Sequence, residues 1–193
     1  MCRFHGFKEN LPKGPFLIPR IDQLVDATVG HSQMSFLDAF QGHHQIPLAL
    51  ADQEKTTFVT STGNYHYRVM PFGLKNTEST YQQMMTRMFE PQLGKNIEIY
   101  INDMVVKSKV VAEHLSDLRS IFKVLRRHKL RLNASKCSFG VNSGKFLGYM
   151  VIHRGIKVNP YQIKAINDLQ PPQNPKEVQK LTGITATLNR CIS

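Results

Sequence analysis

Residues 97–107 read IEIYINDMVVK. Two apolar, β-rich runs stand on either side of Asn102 and Asp103, which places that pair at the tip of a tight hairpin. Upstream, Tyr81, Met84, Met85, Met88 and Phe89 fall at i, i+3, i+4, i+7 and i+8. That spacing makes one apolar face of a helix, with Asn76 or Thr77 as its cap, and it assigns the methionines to core packing. Downstream, Leu115, Leu118, Phe122 and Leu125 mark a second amphipathic helix, whose outer face carries basic residues.

Further out the same alternation continues. SFLDAF (35–40) reads as a strand running into Asp38, followed by the turn-like QGHH and a second apolar stretch, IPLAL. Residues 56–69, TTFVTSTGNYHYRV, are two β-rich runs around residues 61–64, a hairpin signal. KFLGYMV (145–151) and IKV (156–158) read as strands around a turn at 153–155. A short helix is expected over residues 22–28. Two more are expected after Asn159-Pro160 and Asn174-Pro175, each a cap residue followed by proline at the first helical position, with 171–174 as the linker. The first 20 residues, rich in Gly and Pro, form an extended lead-in. Strands, helix, hairpin, helix, hairpin and terminal helices, without internal repeats, predict an α+β fold built on an antiparallel sheet.

Composition narrows the function. A chain of 193 residues buries one substantial core. With 41% hydrophobic residues and no stretch near the roughly 18 apolar residues of a membrane span, a soluble protein is expected. MCRFHGFKEN has no apolar core or cleavage site and is not a secretory signal, so an intracellular location follows. Cys2, Cys137 and Cys191 are far apart and make no CxxC pair, so free thiols are expected, Cys137 as buried packing. The eight histidines include no HExxH or other metal-ligand spacing. The net charge of +11 suits a polyanion, nucleic acid first. Residues 107–136 hold nine Lys or Arg against Glu113 and Asp117, a net of +7, which is either a contact patch or a solvated helix face.

Four segments in order carry a family resemblance. LDAFQGHHQIPL (37–48), VMPFGLKNTESTYQQMM (69–85) and IYINDMVVKSK (99–109) resemble the first three catalytic motifs of gypsy-type reverse transcriptases. KFLGYMV resembles their primer-grip hairpin, and segments 114–140, 159–166 and 176–193 are also similar, so the likeness spans residues 16–193. The resemblance implies a right-hand polymerase palm with an antiparallel sheet, packed helices and partial fingers. Residues 1–20 would be an extended remnant of the fingers, 21–158 the palm with part of the fingers, and 159–193 the helical start of the thumb or connection.

The resemblance also implies a chemistry. Template-primed nucleotidyl transfer uses two Mg²⁺ (or Mn²⁺) ions roughly 4 Å apart, and such hard cations take carboxylate oxygens. Asp38 and Asp103 match the family's ligand positions. Asn102 stands where the family carries Asp, keeping an oxygen but losing the charge, which implies weakened metal binding and impaired catalysis. His43 stands where the family has the Tyr or Phe that lies under the incoming sugar. Phe72 and Gly73 match the loop that approaches the nucleotide, Lys136 the lysine beside the pyrophosphate, and Phe146, Leu147 and Gly148 the primer grip. Lys123, Arg126 and Arg127 are candidate primer–template contacts. The expected partners are an RNA or DNA template-primer and deoxynucleoside triphosphates, in the cytoplasm or nucleus and not at a membrane. Two other readings stay open: a non-catalytic nucleic-acid-binding remnant, and a genomic relic whose product barely folds.

Overall fold

The hairpin at 97–107 is present in the computed structural model, which describes residues 16–157, 172 and 174–188. The elements in chain order are α1 (Ile21–Asp26), β1 (Gln33–Asp38), the single-turn α2 (Leu50–Gln53), β2 (Phe58–Thr60), β3 (Gly63–Tyr65), α3 (Thr77–Met88), β4 (Ile97–Tyr100), β5 (Asp103–Ser108), α4 (His114–Arg127), β6 (Ser138–Val141), β7 (Ser143–Phe146), β8 (Tyr149–Ile152), β9 (Gly155–Lys157) and α5 (Pro175–Leu188). The central sheet has the order β4-β5-β1-β6, all neighbours antiparallel. The ribbon β2-β3 and the sheet β7-β8-β9 are separate.

Side chains alternate across a pleated sheet, and the two faces of the central one are covered differently. Leu37, Ile97, Ile99, Met104 and Val106 pack against Tyr81, Met84, Met85 and Met88 of α3 and Ile121 and Leu125 of α4. Met34, Phe36 and Val105 pack on the opposite face against Leu24 and Val25 of α1 and Phe146 and Val151 of the β7-β8-β9 sheet. Gly144 passes so close over the Phe36 ring that a Cβ there would overlap it.

Paired buried polar groups tie these layers together, hydrogen-bonded as a low-dielectric interior favours. Lys107 donates to Glu98 Oε1 at 2.7 Å and to the Ala27 carbonyl at 2.6 Å, joining β5, β4 and the end of α1. On the α4 side, Ser108 Oγ donates to Asp117 Oδ2, and His114 bonds Ser108 through Nδ1 at 2.8 Å and Ser35 through Nε2 at 2.7 Å. Because the Ser108 proton goes to Asp117, the histidine proton belongs on Nδ1 and Nε2 accepts from Ser35.

Several expectations are corrected. The two loop residues of the β4-β5 turn are Ile101 and Asn102, and Asp103 is already the first residue of β5, paired with Tyr100. KFLGYMV is not one strand: Leu147 (φ 50°) and Gly148 (φ 90°) make a turn inside it. Leu115 is 58% exposed, and α4 is instead anchored by His114, Ile121 and Leu125. The strand at SFLDAF starts earlier, at Gln33, and ends at Asp38 because the chain turns there. Lys107 leaves the basic patch for its buried ion pair. Asn76 makes no side-chain cap bond; Thr77 Oγ1 donates to the Pro71 carbonyl instead. Cys137 is a half-buried free thiol against the core.

Asn174 does cap α5 as expected, its Oδ1 accepting from Glu177 N at 3.0 Å. The helix expected after Asn159-Pro160, most of the extended lead-in, Cys2 and Cys191 lie outside the described residues.

Candidate active site

β1 and β5 are paired so that Asp38 stands directly opposite Asp103. By strand parity both carboxylates lie on the face with Phe36 and Val105, the face of the β7-β8 hairpin and not that of α3 and α4. Lys136 Nζ is 3.9 Å from Asp38 Oδ2. It is held there because Asn133 N donates to the Asp38 carbonyl at 2.9 Å just before the turn Ala134–Lys136. Desolvation first, then the Asp38 charge, pushes the Asp103 carboxyl above its ordinary range, while Lys136 pulls it down.

The turn beside them is strained. Ile101 is β-branched yet sits at φ 52°, in the left-handed region, which costs such a residue about 1–2 kcal/mol. Gln82 of α3 holds it there, accepting from Ile101 N at 2.6 Å and donating to the Ile99 carbonyl at 3.0 Å.

Asn102 then turns its amide oxygen inward. A Cβ on Gly42 would collide with Asn102 Oδ1 and Tyr81 OH, so glycine is required by the close approach. Asn102 Oδ1, Tyr81 OH and His43 Nδ1 are all buried without a hydrogen-bond partner. Burial, and secondarily the Asp38 charge, drives the Tyr81 hydroxyl far above its ordinary pKa, so it stays protonated.

His43 is 2% exposed, with its ring edge-on to Phe72 at 4.8 Å and to Tyr81 at 4.9 Å. Burial lowers its pKa, with His44 adding to the effect and Glu78 opposing it, so the ring is neutral at pH 7. Phe72 is 71% exposed, and Gly73 follows at φ 91°.

The structure therefore brings Asp38, Asn102, Asp103, Lys136, His43, Phe72 and Gly73 around one end of the β1-β5 pair. Phe146, Leu147 and Gly148 form the β7-β8 corner on the same face, with the Phe146 ring 6.4 Å from that of Phe36. It does not bring Lys123, Arg126 and Arg127 there: they are exposed on α4, across the sheet.

Gly42, Tyr81 and Gln82 join the site only through the fold. The only signal for Gln82 was a polar residue directly beside the apolar stripe of α3.

Among the described residues no group of three or more His, Cys, Asp or Glu is placed to hold a metal ion. The oxygens of Asp38 and Asp103 are nonetheless the hard donor type that a divalent cation takes. The Asp38 and Asp103 carboxylates fit such a cation with two charges, and the Asn102 amide, turned toward Gly42 and Tyr81, adds none.

A carboxylate pair at the end of a helix-backed antiparallel sheet, with a second hairpin on the same face, is the architecture of a polynucleotide polymerase palm. Residues 5–151 match the family described as reverse transcriptase (RNA-dependent DNA polymerase), and the chain belongs to that family.

Similar curated proteins are retrotransposon polyproteins. The retrovirus-related Pol polyprotein from transposon 297 of Drosophila melanogaster is 33% identical over 91% of this chain, and that from transposon gypsy is 29% identical over 95%. The chain spans only 16% and 18% of their lengths. In fold it is similar to the foamy viral protease-reverse transcriptase dRH in complex with double-stranded DNA, with TM-score 0.83, 20% identity, and coverage of 92% of this chain and 31% of that one. The foamy viral protease-reverse transcriptase in complex with RNA/DNA hybrid gives a TM-score of 0.78, at 20% identity over 91% of this chain and 24% of that one. No described helix is long and apolar enough to cross a membrane.

Proposed function

We propose that this chain is the palm, with part of the fingers, of an RNA-directed DNA polymerase from a retrotransposon polyprotein, and that Asn102 impairs its nucleotidyl transfer. The observation that carries this reading is the Asp38–Asp103 register pair with an amide, not a carboxylate, at the adjoining turn. Divalent cations held there would activate the primer 3′ hydroxyl and neutralise the departing pyrophosphate.

The protein's own groups have distinct tasks. Asp38 and Asp103 supply the charged oxygens. Asn102 supplies an oxygen without charge, a loss on the order of a hundredfold or more in rate. Neutral His43, under the Phe72 ring, forms the floor for the incoming sugar, and it is smaller than a phenyl or phenol ring, which relaxes exclusion of a 2′ hydroxyl. Lys136 offers a proton to the leaving pyrophosphate, and Gly73 lets the backbone approach the nucleotide. The corner at Leu147 and Gly148 holds the primer end. Residues 21–158 make up this unit and 159–193 begin the thumb or connection, in a protein that works inside the cell on template-primer and deoxynucleoside triphosphates.

The test is primer extension on an RNA template, with Mg²⁺ and then Mn²⁺, for the native chain and Asn102→Asp. Activity restored only in the variant supports the reading. Robust Mg²⁺-dependent extension by the native chain overturns the impairment. Silence of both shifts the weight to a nucleic-acid-binding protein without catalysis, a reading favoured by the missing carboxylate together with the net charge of +11.

A further inference from the structure

Between Leu118 and Lys157 the chain contains no Asp or Glu. Six cations in that run, Arg119, Lys123, Arg126, Arg127, Lys129 and Arg131, are exposed, and none is in an ion pair among the described residues. Arg119, Lys123 and Arg127 form a row at i, i+4 and i+8 on α4, with a rise of about 6 Å between neighbours, and Arg126 stands beside it. Burial first, then Arg127, holds the His128 pKa below its ordinary value, in keeping with a positive local potential.

A second observation says what such a ridge takes. Phe139 on β6, next to the helix, is 50% exposed, and its ring lies 6.2 Å from that of Phe122. Arg119 and Arg126 sit one turn before and one turn after Phe122, on the same side of α4. Cations in a row beside an exposed ring are the combination that holds single-stranded nucleic acid, with phosphates on the cations and a base on the ring. An acidic protein would find here no acid for its own Lys or Arg to pair with, and no use for the ring.

We propose that the outer face of α4 with Phe139 is a second nucleic-acid site, for single-stranded RNA or DNA. It is separate from the Asp38–Asp103 face because α4 covers the other side of the sheet. A strand can therefore lie on the ridge while a primer–template occupies the carboxylate face. The site does not depend on polymerase activity.

The test measures anisotropy of a labelled oligouridylate with the full chain across a salt series. The variants are Arg119→Gln with Arg126→Gln, Phe139→Ala, and Arg154→Gln as a charge loss in the exposed β8-β9 turn, away from the ridge. Melting temperatures confirm that each variant folds. The double variant is expected to lower the salt slope by about 1.4, at about 0.7 per phosphate contact. Phe139→Ala should weaken binding about tenfold, and Arg154→Gln should leave binding nearly unchanged. Saturating primer–template duplex should leave the oligouridylate bound. An unchanged slope in the double variant, full displacement by the duplex, or polyglutamate bound as tightly as RNA with Phe139→Ala silent would each overturn the proposal.

Discussion

Asp38 and Asp103 stand opposite each other on neighbouring antiparallel strands, and Asn102, one residue earlier, turns its amide oxygen towards Gly42 and Tyr81. Two acids are thus held in close opposition, with Lys136 as the nearby cation, and that opposition shows in the titration of one of them.

Asp103 begins from an ordinary value of 3.8 and is raised in the folded chain. Between 3.8 and the raised value the folded state keeps a proton that the unfolded state has lost. Stability therefore declines as pH rises through that window and stays at the lower level above it. Asp103→Asn is expected to raise the melting temperature at pH 7, with the gain vanishing below pH 3.8. Thermal melts of both proteins at the two pH values check this.

Histidine acts in the opposite direction. His31, His43, His114 and His128 are all lowered from 6.5, burial being the first cause in each. Below 6.5 the unfolded state takes up protons before the folded state does, so the stability from these groups is complete above that pH and is lost as pH falls into the lowered range. Denaturant midpoints from pH 7.5 to 5 should decrease, and His114→Gln should flatten part of that decrease.

Gly42→Ala places a methyl group against Asn102 Oδ1 and Tyr81 OH. The expected cost is about 1–3 kcal/mol of overpacking. Tyr81→Phe removes a buried hydroxyl that has no partner, so it should be neutral or slightly stabilising alone and should relieve part of the Gly42→Ala penalty. A double-mutant cycle by urea unfolding measures the coupling.

Gln82→Leu strands the Ile101 N–H and the Ile99 carbonyl. At about 1–3 kcal/mol for each unsatisfied group, the variant should be strongly destabilised. Hydrogen exchange should show the loss beginning at the turn residues.

Lys107→Met leaves Glu98 buried without its cation, an expected loss of about 3–5 kcal/mol. Adding Glu98→Leu should recover most of it, because two well-packed apolar side chains replace the pair. Equal destabilisation of the single and double variants in denaturant would contradict that account.

The order of elements, the apolar face of α3, the position of the central hairpin and the cap of α5 were all legible in the sequence. Each follows from local periodicity or a local cap, which short-range physics imposes on the chain. The four motif segments also identified the family.

Other features depend on contacts distant in the chain and leave no local mark. Lys107 read as surface charge until β5 pairing set it against Glu98 and Ala27. Leu147 read as a strand residue, but the turn at Leu147 and Gly148 lets β7 fold back on β8. Gly42 looked like an ordinary turn glycine, and only the approach of Asn102 and Tyr81 makes it obligatory. Lys123, Arg126 and Arg127 carried the right charge for a cleft, yet the packing of Ile121 and Leu125 turns them to the other side of the sheet. Sequence determined which chemistry the chain carries, because residue type and short spacing are local properties. Tertiary structure alone decided which groups share a face, because strand register and helix packing are settled by burial across the whole core.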